Sequence, residues 1–137
     1  YPMNGYLAAV MQDTQDVNPV LNHLGIRVEQ AQNGTARLRL DASEHVAQGA
    51  GMTAGGIIAT LLDEAMAHAV LSALKGHTRT ATIDMHVQYL SGVRPGTVLH
   101  AEAQVVKNGS SIAFVRAQAT TPQGKVAATA TASFFLS

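Results

Sequence analysis

One long helical pattern over residues 53–75 constrains the fold most, because the other long patterns in the chain are typical of β-strands. The apolar residues of this segment surround the helix instead of forming one stripe: Ile57, Ile58, Leu61, Leu62, Ala65, Met66, Ala69 and Val70. A helix that is apolar on all sides is a buried one. We predict one buried helix here, ended by Gly76.

Strand patterns lie on both sides of this helix. Six strands are predicted, over residues 25–31, 35–41, 80–91, 98–107, 112–120 and 126–136. Turn residues join neighbouring strands at Asn33-Gly34, Asn108-Gly109 and Pro122-Gln123-Gly124. Such tight turns imply antiparallel pairing. Short helices are expected over residues 4–12 and from Asn18-Pro19.

Strict alternation over residues 80–91 predicts two distinct faces for that strand. One face is expected to carry Ala81, Ile83, Met85, Val87 and Tyr89, and the other Thr82, Asp84, His86 and Gln88.

Together these elements predict an α+β fold in which an antiparallel sheet wraps around one long central helix. On length alone, the 137 residues form a single domain, and residues 1–24 form an N-terminal helical segment. One helix cannot cover both faces of the sheet, so the other face is left to solvent or to a second subunit.

Composition excludes several classes of function. The chain has no Cys, which excludes disulfides, thiolate metal sites and Cys nucleophiles. Its formal net charge of +0 gives no basic excess for binding nucleic acid or an anionic membrane. No charge-free apolar run is long enough for a transmembrane helix, and the start lacks a signal-peptide pattern. We therefore expect a cytoplasmic protein, although the missing initiator Met leaves a removed targeting segment open.

The start of the long helix carries the first candidate site residues. Gly55 and Gly56 leave early helix N–H groups accessible to an anion or to an oxygen that becomes anionic. Gly-Gly before a helix is, however, more often only a solution for the loop. Gln48 lies in the preceding loop and offers an amide to orient water or a carbonyl.

Two adjacent carboxylates, Asp63 and Glu64, lie inside the helix and differ in their local partners. Glu64 has His68 at i+4, which is the spacing of a paired charge. Asp63 has no cation at i±3 or i±4, so its partner must come from elsewhere. Asp63 is therefore the better candidate for a nucleophile or general base. The chain shows neither a metal-binding spacing nor a Gly-x-Ser-x-Gly motif.

From about residue 21 onward, the sequence resembles the hotdog-fold acyl-CoA thioesterases, specifically the phenylacetic-acid-pathway type that includes the 4-hydroxybenzoyl-CoA thioesterases. The most specific part is QGAGMTAGGIIATLLDEAMAHA, residues 48–69. It is similar to a family pattern of Asn or Gln, six residues, Gly-Gly and then an acid on the helix. The second part, residues 80–135, looks like the four-strand tail of the family.

The resemblance implies a role for each matching residue. Gly55 donates its backbone N–H to the thioester carbonyl, and Asp63 attacks that carbonyl or activates water. Gln48 holds water or the carbonyl, and Thr82 assists near the acid. No cofactor or metal is implied. Ala54 stands where the family often has the His of a His-Gly-Gly motif, which puts the rate in doubt.

The resemblance also implies an assembly. Two sheets join edge to edge and two helices lie side by side, so each site takes Gln48 and Gly55 from one subunit and Asp63 and Thr82 from the other. Two such homodimers make a homotetramer. Ala54 and Gly56 flank the bound carbonyl, while Arg94 and the Asn108-Gly109-Ser110 turn are expected near the CoA phosphates.

The expected function is hydrolysis of an aromatic or medium-chain acyl-CoA to a free acid and CoA. Met52, Leu62 and Met66 are candidate lining residues for the acyl pocket. Two alternatives stay open. One is a catalytically silent acyl-CoA binding protein, suggested by Ala54. The other is a hotdog hydratase or dehydratase with His45 as its acid/base group.

Overall fold

The computed structural model describes residues 3–137, with side chains from residue 5 onward. Its elements, in chain order, are α1 (Met3–Val10), α2 (Pro19–Leu24), β1 (Ile26–Gln32), β2 (Thr35–Asp41), a short 3₁₀ turn (Glu44–Val46), α3 (Gly55–Leu71), β3 (Thr80–Tyr89), β4 (Val98–Asn108), β5 (Ile112–Thr120) and β6 (Val126–Leu136). The two short helices and all six strands that the sequence predicts are present.

All six strands form one antiparallel sheet in the order β1-β2-β4-β5-β6-β3. The sheet wraps around α3, and the largest fully buried side chains come from both: Leu38, Leu40, Leu99 and Phe134 from strands, Leu61, Leu62 and Met66 from the helix. The predicted antiparallel sheet around one long helix is confirmed.

The β1–β2 hairpin shows why the alternating pattern works as a signal. Asn33 and Gly34 both adopt positive φ, 52° and 81°, as the two central residues of a tight hairpin turn require. The register that follows places Leu38 and Leu40 against α3, where neither is exposed.

The end of α3 differs from the prediction. The helix spans Gly55–Leu71 instead of residues 53–75, so Gly76 does not end it. The Ser72 hydroxyl donates to the Ala69 carbonyl (2.7 Å) and accepts from the Gly34 N–H (2.9 Å). The Asn108 side-chain amide donates to the Ala73 carbonyl (3.0 Å). Partners from two strand turns therefore satisfy the groups at the helix end, and a glycine cap is not needed.

One face of α3 is only partly covered, which corrects the prediction of a helix buried all round. The residues against the sheet are buried, but Gly56 is exposed and Ala59, Thr60, Asp63 and Ala67 are half-buried. Since four of these five residues are glycine, alanine or threonine, the backbone of α3 is accessible along this stripe.

A β-bulge in β3 overturns the predicted faces of that strand. Thr82 pairs with Phe134 of β6, but the next paired residue is Asp84, opposite Ser133, so Ile83 is an extra residue. An inserted residue reverses the alternation beyond it. Thr82 therefore lies on the helix-facing side together with Met85, Val87 and Tyr89, and not on the opposite face.

No helix within residues 3–137 is long and apolar enough to cross a membrane. Among the same residues, no group of three or more acidic or His side chains is placed to hold a metal ion.

Candidate functional site

The start of α3 has backbone donors without protein acceptors. Ala54 is the N-cap residue and has no side chain that could cap the helix. Among the described residues, no acceptor is found for the N–H groups of Gly55 and Gly56. These groups carry the positive end of the helix dipole. The site can therefore accept an oxygen that carries negative charge.

Tyr89, the last residue of β3, fixes this helix start. Its hydroxyl donates to the Gly55 carbonyl at 2.6 Å. Its ring lies so close that a Cβ added to Gly55 would be 3.4 Å from the Tyr89 side chain. A larger residue at position 55 would press against this ring.

A cavity of about 340 Å³ opens beside these groups. Its lining consists of Gln48, Met52, Thr53, Gly55, Ile58, Tyr89, Leu90, Ser91, Gly92 and Val93. Gln48 is exposed at the surface, and its side-chain oxygen accepts from the Ala50 N–H. Of the predicted lining residues, Met52 is in the wall, whereas Leu62 and Met66 are fully buried in the core and are not part of it.

Asp63 and Thr82 form the second half of the predicted site. The Thr82 hydroxyl donates to a carboxylate oxygen of Asp63 at 2.8 Å. The β3 bulge makes this contact, because without it Thr82 would face away from α3. Asp63 is half-buried and has Ala59, Thr60 and Ala67 around it at helical spacing. The carboxylate is thus oriented by one hydroxyl and remains accessible.

Within one chain, the two halves of the site are apart. Asp63 follows Gly55 by eight residues in α3, which is about 12 Å along a helix axis. Reacting atoms must approach to about 3–3.5 Å. The structure therefore brings together Gln48 with Gly55, and Asp63 with Thr82, but does not bring one pair to the other.

The residues expected near the CoA phosphates are also separated. Arg94 is exposed and directly follows Val93 of the cavity wall. Asn108 lies at the other end of α3, where its amide donates to the Ala73 carbonyl. The Ser110 carbonyl accepts from the His77 ring at 2.8 Å.

Glu64 and His68 do not form the expected ion pair. The nearest carboxylate oxygen of Glu64 is 3.9 Å from His68 Nδ1, whereas the Glu64 backbone carbonyl is 2.7 Å from the same atom. A carbonyl only accepts, so Nδ1 carries the proton. His68 is 1% exposed, and this burial lowers the pKa of its imidazole, which favours the neutral ring.

The neutral His68 belongs to a network with the N-terminal segment. Its Nε2 accepts from the Tyr6 hydroxyl at 2.8 Å, and that hydroxyl accepts from the Asn18 amide at 2.9 Å. Asn18 also donates to a carboxylate oxygen of Glu64 at 3.4 Å. Burial raises the pKa of Glu64, the Asn18 hydrogen bond opposes the rise, and the charge of Asp63 adds to it. Glu64 thus anchors the N-terminal segment. It does not share the role predicted for Asp63.

Sequence reasoning missed Thr53 and Tyr89 as members of this site. The sequence pattern places Tyr89 only on an apolar strand face, and Thr53 only in the first turn of the helix. One signal was available in the sequence. Each of these residues carries a hydroxyl group at a position whose neighbours in the pattern are apolar.

Comparisons with known proteins identify the family of this chain. A family model described as the thioesterase superfamily matches residues 50–128. A Halobacterium salinarum protein named "Putative esterase VNG_1336C" is 38% identical over 120 residues, which cover 84% of this chain and 78% of that protein.

Two solved structures show the same fold at low identity. The PaaI protein from the phenylacetic acid degradation operon of E. coli has a TM-score of 0.83 and 21% identity, and the match covers 88% of this chain and 86% of that one. A hypothetical thioesterase protein from Streptococcus pneumoniae, solved with coenzyme A, has a TM-score of 0.76 and 20% identity, covering 82% and 85%. These similarities confirm the predicted hotdog fold.

Proposed function

Because this chain belongs to the thioesterase superfamily and is a thioester hydrolase, we propose that it hydrolyses an acyl-CoA to a free acid and CoA. The Thr82–Asp63 hydrogen bond carries the proposal, since it orients an accessible carboxylate on a helix that also starts with free N–H groups. The CoA part is supported by the streptococcal neighbour that was solved with coenzyme A.

Two chains complete each site in this proposal. The 12 Å between Gly55 and Asp63 along one helix is too long for a single carbonyl to meet both, so Asp63 of a second chain acts on a carbonyl at Gly55. A two-fold axis beside α3 produces two such sites. The stripe of small residues on α3 supports this arrangement, because it allows another helix to approach closely.

The free edge of the sheet supports the same homodimer. β3 is an edge strand, and Ile83, Tyr89 and Leu90 on and just after it are 52%, 51% and 59% exposed. Edge-to-edge pairing of β3 would cover this surface. Phe114 and Phe135 on the outer sheet face are also exposed, which supports assembly of two dimers into a homotetramer.

Hydrolysis then proceeds by one of two routes, both of which use the same residues. In the first, Asp63 takes a proton from water, the hydroxide adds to the carbonyl carbon, and the C–S bond breaks. In the second, the carboxylate itself adds to the carbonyl carbon, the C–S bond breaks with loss of the CoA thiolate, and water hydrolyses the mixed anhydride that remains. In both, the Gly55 N–H stabilises the oxyanion, and the proton ends on the CoA thiolate. Gln48 holds the water or the carbonyl, and Thr82 orients Asp63.

The acyl group is proposed to be aromatic or medium-chain. The cavity beside Gly55 supports this choice, because its wall contains Met52, Ile58, Leu90 and Val93. Ala54 leaves the helix start without a side-chain cap, so the N–H groups stay available for the carbonyl even though the family His is absent.

An assay of thiol release across short, medium, long and aromatic acyl-CoAs tests the proposal. We expect Asp63→Asn to lower kcat by about 10²–10⁴-fold, because it keeps the shape and removes the base or nucleophile. The matched control is Glu64→Gln, which changes the adjacent carboxylate and is expected to stay within about twofold of the parent.

Calorimetric measurement of CoA binding distinguishes a thioesterase from a silent acyl-CoA binding protein. A protein that binds CoA and releases no thiol from any acyl-CoA would be a silent binding module. Equal rates for Asp63→Asn and the parent would show that Asp63 has no catalytic role. A hydratase is not favoured, since His45 is exposed and lies outside the cavity wall.

A further inference from the structure

Met52 and Gly92 are in direct contact in the wall of the cavity at the start of α3. A Cβ added to Gly92 would lie 2.5 Å from the Cε methyl of Met52, well inside the separation of about 3.5–4.0 Å at which two carbon atoms pack. Among the described residues other than its chain neighbours, nothing else comes within 4 Å of that position. The absence of a side chain at Gly92 therefore provides the space that the end of Met52 occupies.

Backbone hydrogen bonds hold the loop of Met52 against the segment of Gly92. The Met52 carbonyl accepts from the Gln48 N–H at 2.7 Å, and the next residue, Thr53, donates its N–H to the Val93 carbonyl at 2.8 Å. Because the backbone is fixed on both sides, the side chain of Met52 is the part that can move. An unbranched thioether side chain with three rotatable bonds adapts readily to its surroundings.

The contact is accessible from the proposed active site. Met52 is half-buried and Gly92 is exposed, and both line the same cavity as Gly55. Met52 and Gly55 are three residues apart, so their Cα atoms are at most about 11 Å apart. The wall contains no charged residue, so it suits an apolar chain better than a charged group. An acyl chain whose carbonyl oxygen is held at the Gly55 N–H starts within reach of Met52.

We propose that Met52, seated on Gly92, is the specificity residue that limits the length of the acyl chain. This rests on the proposed acyl-CoA hydrolysis and assigns its chain-length preference to one contact. The methyl end of Met52 closes the path of the acyl chain, so a longer chain has to displace it or stay partly in water. Each methylene that an apolar pocket accepts or rejects changes kcat/KM by about tenfold or more.

Two substitutions should move this limit in opposite directions. Met52→Ala removes Cγ, Sδ and Cε, which leaves room for about three more chain carbons. Gly92→Ala places a methyl group where the end of Met52 lies, so this end moves into the cavity and shortens the accepted chain. The backbone tolerates the second change, since Gly92 does not adopt positive φ and the atom that must move is the end of a flexible side chain.

A chain-length series tests the proposal in the full chain. Thiol release is measured from butanoyl-CoA to dodecanoyl-CoA for the parent, both single variants and the double variant. Relative to butanoyl-CoA, we expect Met52→Ala to raise kcat/KM for chains beyond the parent's limit by about tenfold or more, and Gly92→Ala to lower it for the longest chain that the parent accepts by a similar factor. The double variant should follow Met52→Ala, because the added methyl then meets no side chain. Met11→Ala, at an exposed methionine, is the control and should keep the parent's profile.

The outcomes separate this inference from the proposed function. A parent without a length limit, an unchanged profile in Met52→Ala, or an equal effect of Gly92→Ala with and without Met52 would overturn the inference, while hydrolysis would still support the thioesterase. Equal changes at all chain lengths would also overturn it and would assign the cavity to the CoA part that all substrates share. If the parent hydrolyses no acyl-CoA, aromatic ones included, the proposed function fails together with the inference.

Circular dichroism and thermal unfolding identify a variant that does not fold. If Met52→Ala fails to fold, Met52→Val takes its place, because it removes less of the side chain. Met52→Val should move the length limit in the same direction by a smaller amount, and an unchanged limit in a folded Met52→Val would overturn the inference.

Discussion

Adjacent residues on α3 have different environments, and these environments distinguish its two carboxylates. Asp63 projects from the accessible stripe and receives one hydrogen bond from Thr82. Glu64, the next residue, is drawn into a network that includes Asn18, Tyr6 and His68. Because successive helix residues are rotated by about 100°, two carboxylates one position apart contact different partners.

Removing the hydroxyl that orients Asp63 should slow catalysis without weakening substrate binding. We expect Thr82→Val to lower kcat by about tenfold, the order of one hydrogen bond to a charged group, and to change KM little. Thiol-release kinetics measure this. Thr131→Val on the outer face of β6 is the control, and an equal effect of both variants would contradict a specific role for Thr82.

The buried imidazole should make the fold sensitive to acid. The pKa of His68 is lowered in the folded state, so below pH about 6.5 the unfolded chain takes up a proton that the folded chain resists. Stability due to His68 is therefore complete above pH 6.5 and is lost as pH falls. The pKa of Glu64 is raised in the folded state, so its contribution to stability increases as pH falls. This change occurs nearer the ordinary pH range of a glutamate.

Urea unfolding at pH 7.5 and pH 5.5 isolates this contribution. The loss of unfolding free energy between the two pH values should be larger in the parent than in His68→Phe, which cannot titrate. His23→Gln is the control, since His23 is exposed. An unchanged pH dependence in His68→Phe would mean that other groups cause it.

At the scale of elements, side chains from strand turns decide where α3 ends. Ser72 links the last helical turn to the β1–β2 hairpin through two hydrogen bonds, and Asn108 links the next residue to the β4–β5 turn. The helix pattern in the sequence continues to residue 75, but the partners that interrupt it are distant in sequence. The β3 bulge is similar, since an extra residue in a strand leaves no mark in an alternating pattern.

Loss of the Ser72 hydroxyl should destabilise the fold. We expect Ser72→Ala to lower the unfolding free energy by about 1–2 kcal/mol, because the Gly34 N–H loses its acceptor and the Ala69 carbonyl loses a donor. Chemical denaturation measures the change. Ser111→Ala, at an exposed turn position, should stay within about 0.5 kcal/mol of the parent, and equal effects would show that the Ser72 contacts contribute nothing.

At the scale of the whole molecule, the proposed site requires two chains, and mixing inactive variants tests this directly. Gly55→Val removes one half of each site and Asp63→Asn the other. In a mixed dimer, one site carries both changes and the other carries neither. After co-refolding at equal amounts, activity should return to about a quarter of the parent value, since half the dimers are mixed and each has one intact site.

The two variants measured separately are the controls and should both be inactive. A site built within one chain would give no recovery on mixing, because every chain would still carry a defect. Size-exclusion chromatography with light scattering, performed on the same samples, reports whether dimers or tetramers are present.

The sequence by itself determined the strands, the hairpins and the central helix, and its local pattern distinguished Asp63 from Glu64. Periodicity and turn chemistry are local, because they depend on residues that are close together in the chain. Gln48, Gly55 and Thr82 were predicted through the family resemblance, and no local pattern selected Thr82.

Only the tertiary structure decided which groups meet. The bulge at Ile83 turns Thr82 toward Asp63, the end of β3 brings Tyr89 to Gly55, and burial leaves the Thr53 hydroxyl without a partner. These contacts join residues that are far apart in the chain or depend on what surrounds them. Hydrogen bonding and burial are set by distance in space, and a sequence records only distance along the chain.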